Sequence, residues 1–407
     1  MRRPDEERPG DAAVTGLAWT TALGDDVEAT WQTLLDGHDG FIPVPSSHPV
    51  RNPLAAPACA DRANGDDHAA RLHHMACDTL TRALKDAALS PAGLALVAGT
   101  SFGARLDPGP APPPDAAHWL HAVARGVGVD GPVVPVSSAC STGSDALAVA
   151  AMLLAERPDR PVVCGAVDLL TPAKRYGHTA LATMSSTRMR PFDRTRDGML
   201  LGEGAGFVVL ESQESARRRG VRVHGRLRGA AFSNDGAGLT SPDTSGCGVA
   251  RTVRDALRLA GAQPERIGVV GAHATATALN DLTEIRALND VFGPQRRPPV
   301  VFALKSSVGH TLGATGALQA IAVLLALRDR MAPPVAGLRD PDPGLRLPTG
   351  RGRATPLSSA APLGLSLTLG FGGFNTCLVL EGPQEGSRGA RTARNPSVPE
   401  QGGAGRA

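Results

Sequence analysis

The sequence predicts an α/β protein whose strands are buried on both faces of a sheet. Short, continuous runs of Val and Leu alternate along the 407 residues with stretches that have the spacing of amphipathic helices. Uninterrupted apolar strands between helices are typical of sheets with helices packed on both faces. Hydrophobic residues make up 42% of the chain, which is enough for a large core.

The elements follow from these patterns in chain order. Strands are predicted where a short apolar run ends at small or polar residues, at 94–97, 133–136, 162–164, 207–210, 269–270, 300–304, 365–369 and 377–380. Helices are predicted where apolar residues recur every three or four positions, at 26–35, 69–88, 141–155, 249–260, 282–291 and 314–327. A further helical piece is expected at 118–127. Residues 107–115 hold too many prolines for a helix or central strand and are predicted to form a surface loop.

Composition excludes several classes of function. The 42 Lys and Arg residues nearly balance the 39 Asp and Glu residues, so the net charge of +3 does not indicate a nucleic-acid-binding face. The six cysteines form no Cys-x-x-Cys pair, so neither a zinc site nor a disulfide framework is predicted, and the cytoplasm is the expected compartment. No membrane span or secretory signal is expected, because no apolar run is long enough. Residues 1–12 and 383–407 are predicted to be disordered tails.

Two segments of the chain have a similar sequence pattern. Pro132-Val-Val opens a predicted strand that leads to Cys140 and an Ala-rich helix. Pro299-Val-Val opens another, which leads to Lys305, His310 and a second Ala-rich helix. Both segments place reactive side chains where a strand gives way to a helix. The similarity of the two segments suggests a duplicated α/β fold, with chance similarity as the alternative.

Cys140 is a candidate nucleophile. It follows a buried strand and stands at the start of a helix, in the segment Ser-Ala-Cys-Ser-Thr-Gly. The free N–H groups at a helix N-terminus stabilise negative charge, so we expect the pKa of this thiol to be lowered. The alternative is a buried cysteine that packs as a small apolar residue, which is our interpretation of the other five cysteines.

Two histidines are candidates for the partner that a cysteine nucleophile needs. His273 and His310 each follow a predicted strand and lie among small residues, which leave room for a substrate. Ligands of open α/β sheets bind at such strand ends. A histidine that is only part of the core is the alternative for both. The remaining histidines lie mostly in polar stretches and are interpreted as solvated.

Taken together, these residues resemble a known family. The order Cys140, His273, Lys305, His310 and then the glycine-rich segment around Phe371 is similar to that of the β-ketoacyl-acyl-carrier-protein synthases, the decarboxylating condensing enzymes with a thiolase fold. Further blocks match at 190–193, 196–198, 202–206 and 280–284, and the resemblance covers about residues 13–382 in order. Within this family, the resemblance is to the free-standing ketosynthases of type II systems.

The resemblance implies a duplicated, thiolase-like fold, layered α-β-α-β-α with two mixed sheets. The first half, with the nucleophile, is expected at 13–235, and the second, with the catalytic histidines, at 236–382. The implied activity is a decarboxylative Claisen condensation of an acyl thioester with a malonyl thioester, in fatty-acid or polyketide biosynthesis. No metal or redox cofactor is implied, and the substrates are carried on the phosphopantetheine of an acyl carrier protein.

The resemblance also implies roles for individual residues. Cys140 would accept the acyl chain, while His273 and His310 would stabilise the enolate formed when carbon dioxide leaves. The backbone N–H groups of Cys140 and Phe371 would form the oxyanion hole, and Phe371 would act as a gate to the acyl tunnel. Residues that would bind the pantetheine arm are Thr275 and Thr277.

The chain departs from the family pattern at two places near these residues. The usual His-Gly-Thr-Gly-Thr segment has alanine in place of both glycines, at positions 274 and 276. The family's glutamate partner of Lys305 is replaced by Gln319. A buried ammonium without a carboxylate is costly, so we expect Asp281 or Glu284 to form a salt bridge with Lys305.

These departures leave two alternatives to the condensing activity. The first is a related enzyme that uses the same cysteine for acyl transfer, chain release or cyclisation. The second is a non-catalytic partner subunit that sets chain length, which the presence of Cys140 disfavours because such subunits lack the nucleophile. The resemblance implies a homodimer, with a heterodimer with a related subunit as the alternative, and no membrane or nucleic-acid partner.

Overall fold

The computed structural model describes residues 11–58, 67–102, 117–358 and 360–384. Its strands, numbered β1 to β14 in chain order, are Ala12–Thr20, Ile42–Pro43, Leu54–Ala55, Ala95–Gly99, Val133–Val136, Val162–Asp168, Gly204–Glu211, Gly225–Asn234, Ile267–Gly271, Val300–Phe302, Met331–Ala332, Thr355–Pro356, Leu363–Gly370 and Phe374–Glu381. Its helices, numbered α1 to α10, are Val27–Leu35, His68–Asp86, His118–Val127, Thr142–Glu156, Pro172–Ala180, Gln213–Arg219, Cys247–Ala260, Ala278–Phe292, Lys305–Val308 and Thr315–Asp329.

Ten strands form two sets of five with the same topology. The first set has the order β5-β4-β6-β7-β1 and the second β10-β9-β13-β14-β8. In chain order within each set, both read third, second, fourth, fifth, first. The directions also agree, because the first three strands of each set are parallel and the last two join antiparallel. The duplication suggested by the sequence is therefore present in the fold, with β5 and β10 in equivalent positions.

The two sets are not separate sheets. Three residues of β1, from Ala12 to Val14, pair antiparallel with β8, so hydrogen bonding continues through all ten strands. Because β8 pairs with β14, the second half begins before Gly225, and the boundary expected at 235/236 is wrong. The tail expected at 1–12 is also too long, since Ala12 is in β1 and Asp11 forms an ion pair with Arg228 at 3.1 Å.

Helices on both sides of the strands complete five layers. Helices α2 and α3 pack on one face of the first set, and α7 and α8 pack together beside the second set. Helices α4 and α10 pack against each other in the middle and contact strands of both sets. Their backbones touch because the crossing is made by glycines: a Cβ on Gly316 would lie 2.3 Å from the backbone N of Ser144.

Helix α10 is buried over nearly its whole length. Its residues 315–327 are all buried. By length and composition the stretch Leu312–Asp329 is able to span a membrane, but 89% of that stretch is buried inside the protein. A helix that is apolar all round and enclosed by strands is a core helix.

The predicted elements are found, with boundaries shifted by a few residues. The piece at 118–127 is α3, and the strand at 133–136 is β5. Strand β8 was missed because its Arg-Leu-Arg opening interrupts the apolar run. The short helices α5 and α6 were also missed. The loop predicted at 107–115 and the tail beyond residue 384 lie outside the described residues.

Candidate active site

Cys140 lies in a tight turn between β5 and α4. The turn is made by a single 3-10 turn at Ala139–Ser141, and Ala139 adopts a left-handed conformation with φ of 51°. A non-glycine residue in this region is strained, and the surrounding hydrogen bonds hold it there. The Thr142 hydroxyl donates to the Ala139 carbonyl at 2.8 Å and accepts from the Ser138 N–H at 2.9 Å.

The Cys140 thiol is not acidic in the structure, contrary to the expectation from its place at a helix start. Burial raises its pKa to about 11, because the side chain is 6% exposed and the thiolate loses its hydration. The positive charge of Lys305 and the N–H groups of Phe371 and Cys140 act in the opposite direction and lower this pKa by less. The sulfur therefore lies where two backbone N–H groups and a cation stabilise negative charge.

His273 lies in a loop that two carboxylates hold from below. This loop, residues 272–277, connects β9 to α8. Glu284 accepts hydrogen bonds from the backbone N–H groups of His273 at 2.6 Å and Ala274 at 2.5 Å. Asp281 accepts from the N–H of Ala276 at 3.0 Å. These contacts place the imidazole over the cavity.

Burial raises the pKa of both carboxyl groups, to about 6 for Asp281 and about 7 for Glu284. The charge of Asp281 raises the pKa of Glu284 further. The oxygens of both groups are occupied by backbone N–H groups and by Asn280, and Arg196 lies 3.8 Å from Asp281.

The salt bridge expected for Lys305 is absent among the described residues. No carboxylate oxygen there lies within 4 Å of Lys305 Nζ, because Asp281 and Glu284 face the loop instead. Lys305 Nζ donates to the His273 carbonyl at 2.5 Å and contacts His273 Nδ1 at 3.2 Å. Burial lowers the Lys305 pKa to about 8, against the raising effect of Glu284, Cys140 and Asp281. The amine is therefore still largely protonated at neutral pH, and His273 Nδ1 must accept its hydrogen bond.

Gln319 forms no hydrogen bond with Lys305 and does not line the cavity. Its amide Nε2 donates to the carbonyls of Gly271, at the end of β9, at 2.8 Å and of Leu367, within β13, at 2.9 Å. A carboxylate has no proton for these two carbonyls, whereas an amide has two. Its Oε1 atom is buried and has no hydrogen-bond partner among the described residues.

His310 faces His273 across the site. The N–H of Leu312 donates to His310 Nδ1 at 3.1 Å, so this nitrogen carries no proton. The two imidazole rings are 5.4 Å apart and meet edge-on at 86°. Burial, followed by the charge of Lys305, holds the pKa of both rings well below the usual value of 6.5. Both histidines are therefore neutral and carry their proton on Nε2, the atom free to reach a ligand.

Phe371 lies in the glycine-rich turn between β13 and β14. Gly372 and Gly373 adopt φ of 85° and 78°, which side chains rarely allow. The turn is held by Asn234, whose amide donates to the Gly372 carbonyl at 2.7 Å, and by the Asp235 N–H, which donates to Gly373 at 3.0 Å. Phe371 is half-buried at this turn.

One cavity of about 360 Å³ brings these groups together. This volume is in the range of small-molecule sites. Of the residues predicted from the sequence, the cavity is lined by Cys140, His273, Thr275, Thr277, His310 and Phe371. The hydroxyls of Thr275 and Thr277 lie 2.9 Å apart. The cavity is not lined by the other predicted residues, which contact the backbone that carries the lining residues: Lys305, Asp281, Glu284 and Gln319.

Sequence reasoning missed two residues of the site. Asp168, at the end of β6, accepts from the N–H groups of Ser101 and Gly313, both at 2.9 Å, and so ties the loop after His310 to the first half. His178, in α5, lines the cavity beside Phe371. His178 gave no signal, because its neighbours Tyr-Gly and Thr-Ala do not form an apolar pattern. Asp168 carried a weak signal as a carboxylate at the end of the run Val-Val-Cys-Gly-Ala-Val.

Comparisons with known proteins agree with this arrangement. The family model of the β-ketoacyl synthase N-terminal domain matches residues 114–216, and that of the C-terminal domain matches residues 224–339. The chain is 30% identical to the 3-oxoacyl-(acyl-carrier-protein) synthase 2 of Synechocystis, over 90% of this chain and 97% of that protein. It is 32% identical to the enzyme of the same name from Mycobacterium tuberculosis, over 90% and 96%.

Solved structures show the same fold. The ishigamide ketosynthase/chain length factor aligns with a TM-score of 0.82 and 28% identity, over 92% of this chain and 99% of that one. A β-ketoacyl synthase from Burkholderia phymatum aligns with a TM-score of 0.80 and 29% identity, over 91% and 98%. A type II polyketide ketosynthase in complex with its acyl-carrier protein, 24% identical with a TM-score of 0.82, covers 92% and 100%.

Proposed function

The chain belongs to the β-ketoacyl synthase family, and we propose that Cys140, His273 and His310 join an acyl thioester to a malonyl thioester with loss of carbon dioxide. The observation that carries this assignment is the convergence of one buried thiol and two imidazole N–H donors on a single cavity. Both thioesters are supplied on the phosphopantetheine of an acyl carrier protein.

In the first step the Cys140 sulfur attacks the acyl thioester carbonyl. The new carbon–sulfur bond replaces the bond to the pantetheine sulfur, and the thiol proton leaves with that sulfur as a free pantetheine thiol. The N–H groups of Cys140 and Phe371, which lower the pKa of this thiol, also stabilise the tetrahedral oxyanion. The raised pKa of Cys140 keeps the thiol protonated until a thioester arrives.

In the second step the malonyl thioester loses carbon dioxide, and its electrons pass to the thioester oxygen as an enolate. His273 and His310 donate to that oxygen through their Nε2–H groups. Neutral donors fit this role because they stabilise the charge without giving up a proton. The enolate carbon then attacks the Cys140 thioester, and the sulfur takes up one proton to regenerate the thiol.

Other residues support these steps from the walls of the site. Thr275 and Thr277 bind the pantetheine arm, Phe371 gates the acyl tunnel, and Lys305 holds His273 while its charge favours the Cys140 thiolate. Asp281 and Glu284 fix the loop of His273, and Gln319 fixes the end of β9, from which this loop starts.

The proposed partners are an acyl carrier protein and a second copy of this chain. A ketosynthase of the same fold has been solved with its acyl-carrier protein, and another with a chain length factor. Because this chain carries its own Cys140 and both histidines, a homodimer is sufficient. We place it in the cytoplasm, and its departures from the family pattern favour a specialised polyketide pathway. The proline content of residues 107–115 is the reason to expect poor activity on long saturated chains.

The test is reconstitution with acyl-carrier protein loaded with an acyl group and with malonyl. Intact-mass measurement should show acylated Cys140, loss of carbon dioxide and a product two carbons longer, and Cys140→Ala should keep its fold but accept no acyl group. The matched control is Cys247→Ala, an exposed thiol outside the cavity, which should behave as the wild type. Acylation of the Cys140→Ala variant at the same rate, or loading that ends in hydrolysis or release without elongation, contradicts the proposal.

A further inference from the structure

A third histidine lines the cavity and has no part in the steps above. His178 lies in the last turn of α5, and its ring centroid is 5.9 Å from that of Phe371. A positive charge on His178 would lower the pKa of His310, so the two rings are close enough to interact electrostatically. His178 therefore lies among the reacting groups and not at the outer surface.

The hydrogen bonds of His178 define its tautomer. Its Nδ1 lies 3.0 Å from the hydroxyl oxygen of Thr183, and the same hydroxyl lies 3.1 Å from the His178 carbonyl oxygen. A hydroxyl has one proton, so both contacts are hydrogen bonds only when Thr183 donates to the carbonyl and Nδ1–H donates to Thr183. The proton of the neutral ring is then on Nδ1, and Nε2 has a bare lone pair.

This lone pair is unused within the part of the chain that the structure describes. Nε2 makes no hydrogen bond there, and the side chain faces the cavity. Burial, followed by the charge of Lys174, lowers the pKa of His178 to about 4, so the ring does not become a donor at neutral pH. His178 thus has the opposite polarity to His273 and His310: it offers an acceptor where they offer N–H donors.

The helix that carries His178 is firmly anchored. Lys174 donates to the carboxylate of Asp168 and to the Leu169 carbonyl at 3.2 Å. Arg175 donates to the carbonyls of Val44 at 3.0 Å and Pro45 at 2.9 Å. Both cations are buried. A polar group on such a fixed element is well placed to discriminate between ligands, because its position does not adapt to them.

We infer that His178 Nε2 accepts a hydrogen bond from the acyl group, and that the enzyme prefers acyl thioesters with a hydroxyl or N–H near the thioester over saturated acyl thioesters of equal length. The inference rests on the proposed function and names the substrate class of the same site. An acceptor that a saturated chain covers without replacing its hydrogen bond disfavours that chain.

The test measures Cys140 acylation by intact mass, which does not depend on condensation. Wild type is given hexanoyl-, 3-hydroxyhexanoyl- and 3-methoxyhexanoyl-carrier protein; the methoxy compound retains the oxygen but not the donor. We expect the hydroxyacyl group to load about tenfold faster than the other two. His178→Phe keeps an aromatic ring beside Phe371 and should bring the three rates together. His178→Gln retains an acceptor oxygen and should restore part of the preference.

Each outcome decides between supporting and overturning the inference. His74→Phe, at an exposed position of α2, is the control and should leave the preference unchanged. Equal rates in the wild type, or the same preference in His178→Phe, overturn the inference while the proposed function stands. An equal slowing of all three thioesters in His178→Phe also overturns the inference. His178 would then accept its hydrogen bond from an amide of the pantetheine arm, which all three thioesters share, and not from the acyl group. If Cys140 accepts none of the thioesters, the proposed function fails, and the inference fails with it.

Discussion

Individual side chains at this site are distinguished by which atom carries a proton. His273 and His310 each have Nδ1 occupied as an acceptor, so both present N–H groups to the cavity. Cys140 retains its proton because burial outweighs the charge of Lys305. Cys140, His273 and His310 are therefore neutral at rest, and in the proposed reaction charge develops where donors are already in place.

Replacing Lys305 by Met should raise the pKa of Cys140 further. The substitution removes the cation that lowers this pKa, so the thiolate fraction at a fixed pH falls. We expect alkylation of Cys140 by iodoacetamide to be several-fold slower than in the wild type at about pH 8.

The measurement is peptide mass spectrometry over time, with the exposed thiol of Cys247 as the internal reference. Lys85→Met, at an exposed position of α2, is the matched control and should leave the rate unchanged. An unaltered or faster rate in Lys305→Met would show that the lysine charge does not reach the sulfur.

If His273 and His310 act as proposed, removal of either imidazole should separate loading from condensation. His273→Ala and His310→Ala each take away one donor to the enolate oxygen but leave the Cys140 oxyanion hole intact. We expect acylation of Cys140 to remain, and elongation to fall about a hundredfold or more. Intact mass of the acyl-enzyme and of the carrier-bound product reports both steps. Loss of loading in both variants would instead indicate a cysteine activated by histidine as a base.

The loop of His273 shows how an element tolerates a departure from its family pattern. Ala274 and Ala276 replace glycines and adopt φ of 43° and 62°. The left-handed conformation costs an alanine roughly 1–2 kcal/mol. Both side chains are fully buried, and burial of one methyl group returns about 0.8 kcal/mol. The carboxylates of Asp281 and Glu284 hold the rest of the loop in place.

Gln319 links α10 to β9 and β13, and its loss should weaken the packing of this helix on the two strands. Gln319→Leu removes the amide hydrogen bonds to Gly271 and Leu367 without a large change in volume. We expect the free energy of unfolding to fall by about 1–3 kcal/mol, measured by urea denaturation. Gln32→Leu, at an exposed position of α1, is the control. Equal stability of the two variants would show that the Gln319 hydrogen bonds contribute nothing net.

At the scale of the whole molecule, the duplicated fold places the nucleophile and the histidines on different halves and then joins them. Cys140 follows β5, and His310 follows the equivalent strand β10. The helices that follow them, α4 and α10, cross at Gly143 and Gly316, which brings both turns to one cavity. The β1–β8 pairing and the Asp168 contact to Gly313 connect the halves again.

The crossing of the two central helices should not tolerate a methyl group. Gly316→Ala would place a Cβ 2.3 Å from the Ser144 backbone, so we expect a loss of about 1–3 kcal/mol in the free energy of unfolding. Gly177→Ala is the matched control, because its Cβ would meet no atom of the described part of the chain within 4 Å. In a helix this change should stabilise by about 0.5–1 kcal/mol. Urea midpoints that move in the same direction for both variants would contradict the close approach.

The sequence by itself determined the fold class, most of the elements and the reactive residues. Apolar runs and helical spacing are local properties, and the small residues around Cys140, His273 and His310 are local as well. Strand β8 escaped because its arginines interrupt the apolar run, although ion pairs with Asp11 and Glu381 allow them to be buried. The position of the boundary between the two halves was misplaced for the same reason, because β8 is the first strand of the second set.

Only the tertiary structure decided how the charges and protons are arranged. The sequence suggested a lowered pKa for Cys140 and a carboxylate partner for Lys305, and both expectations were wrong. Burial is the largest influence on the thiol, and Asp281 and Glu284 are occupied by backbone N–H groups of the same loop. The role of His178 likewise depends on Thr183 and on a cavity wall built from α5. Desolvation and hydrogen-bond partners come from residues distant in the chain, so local sequence does not specify them.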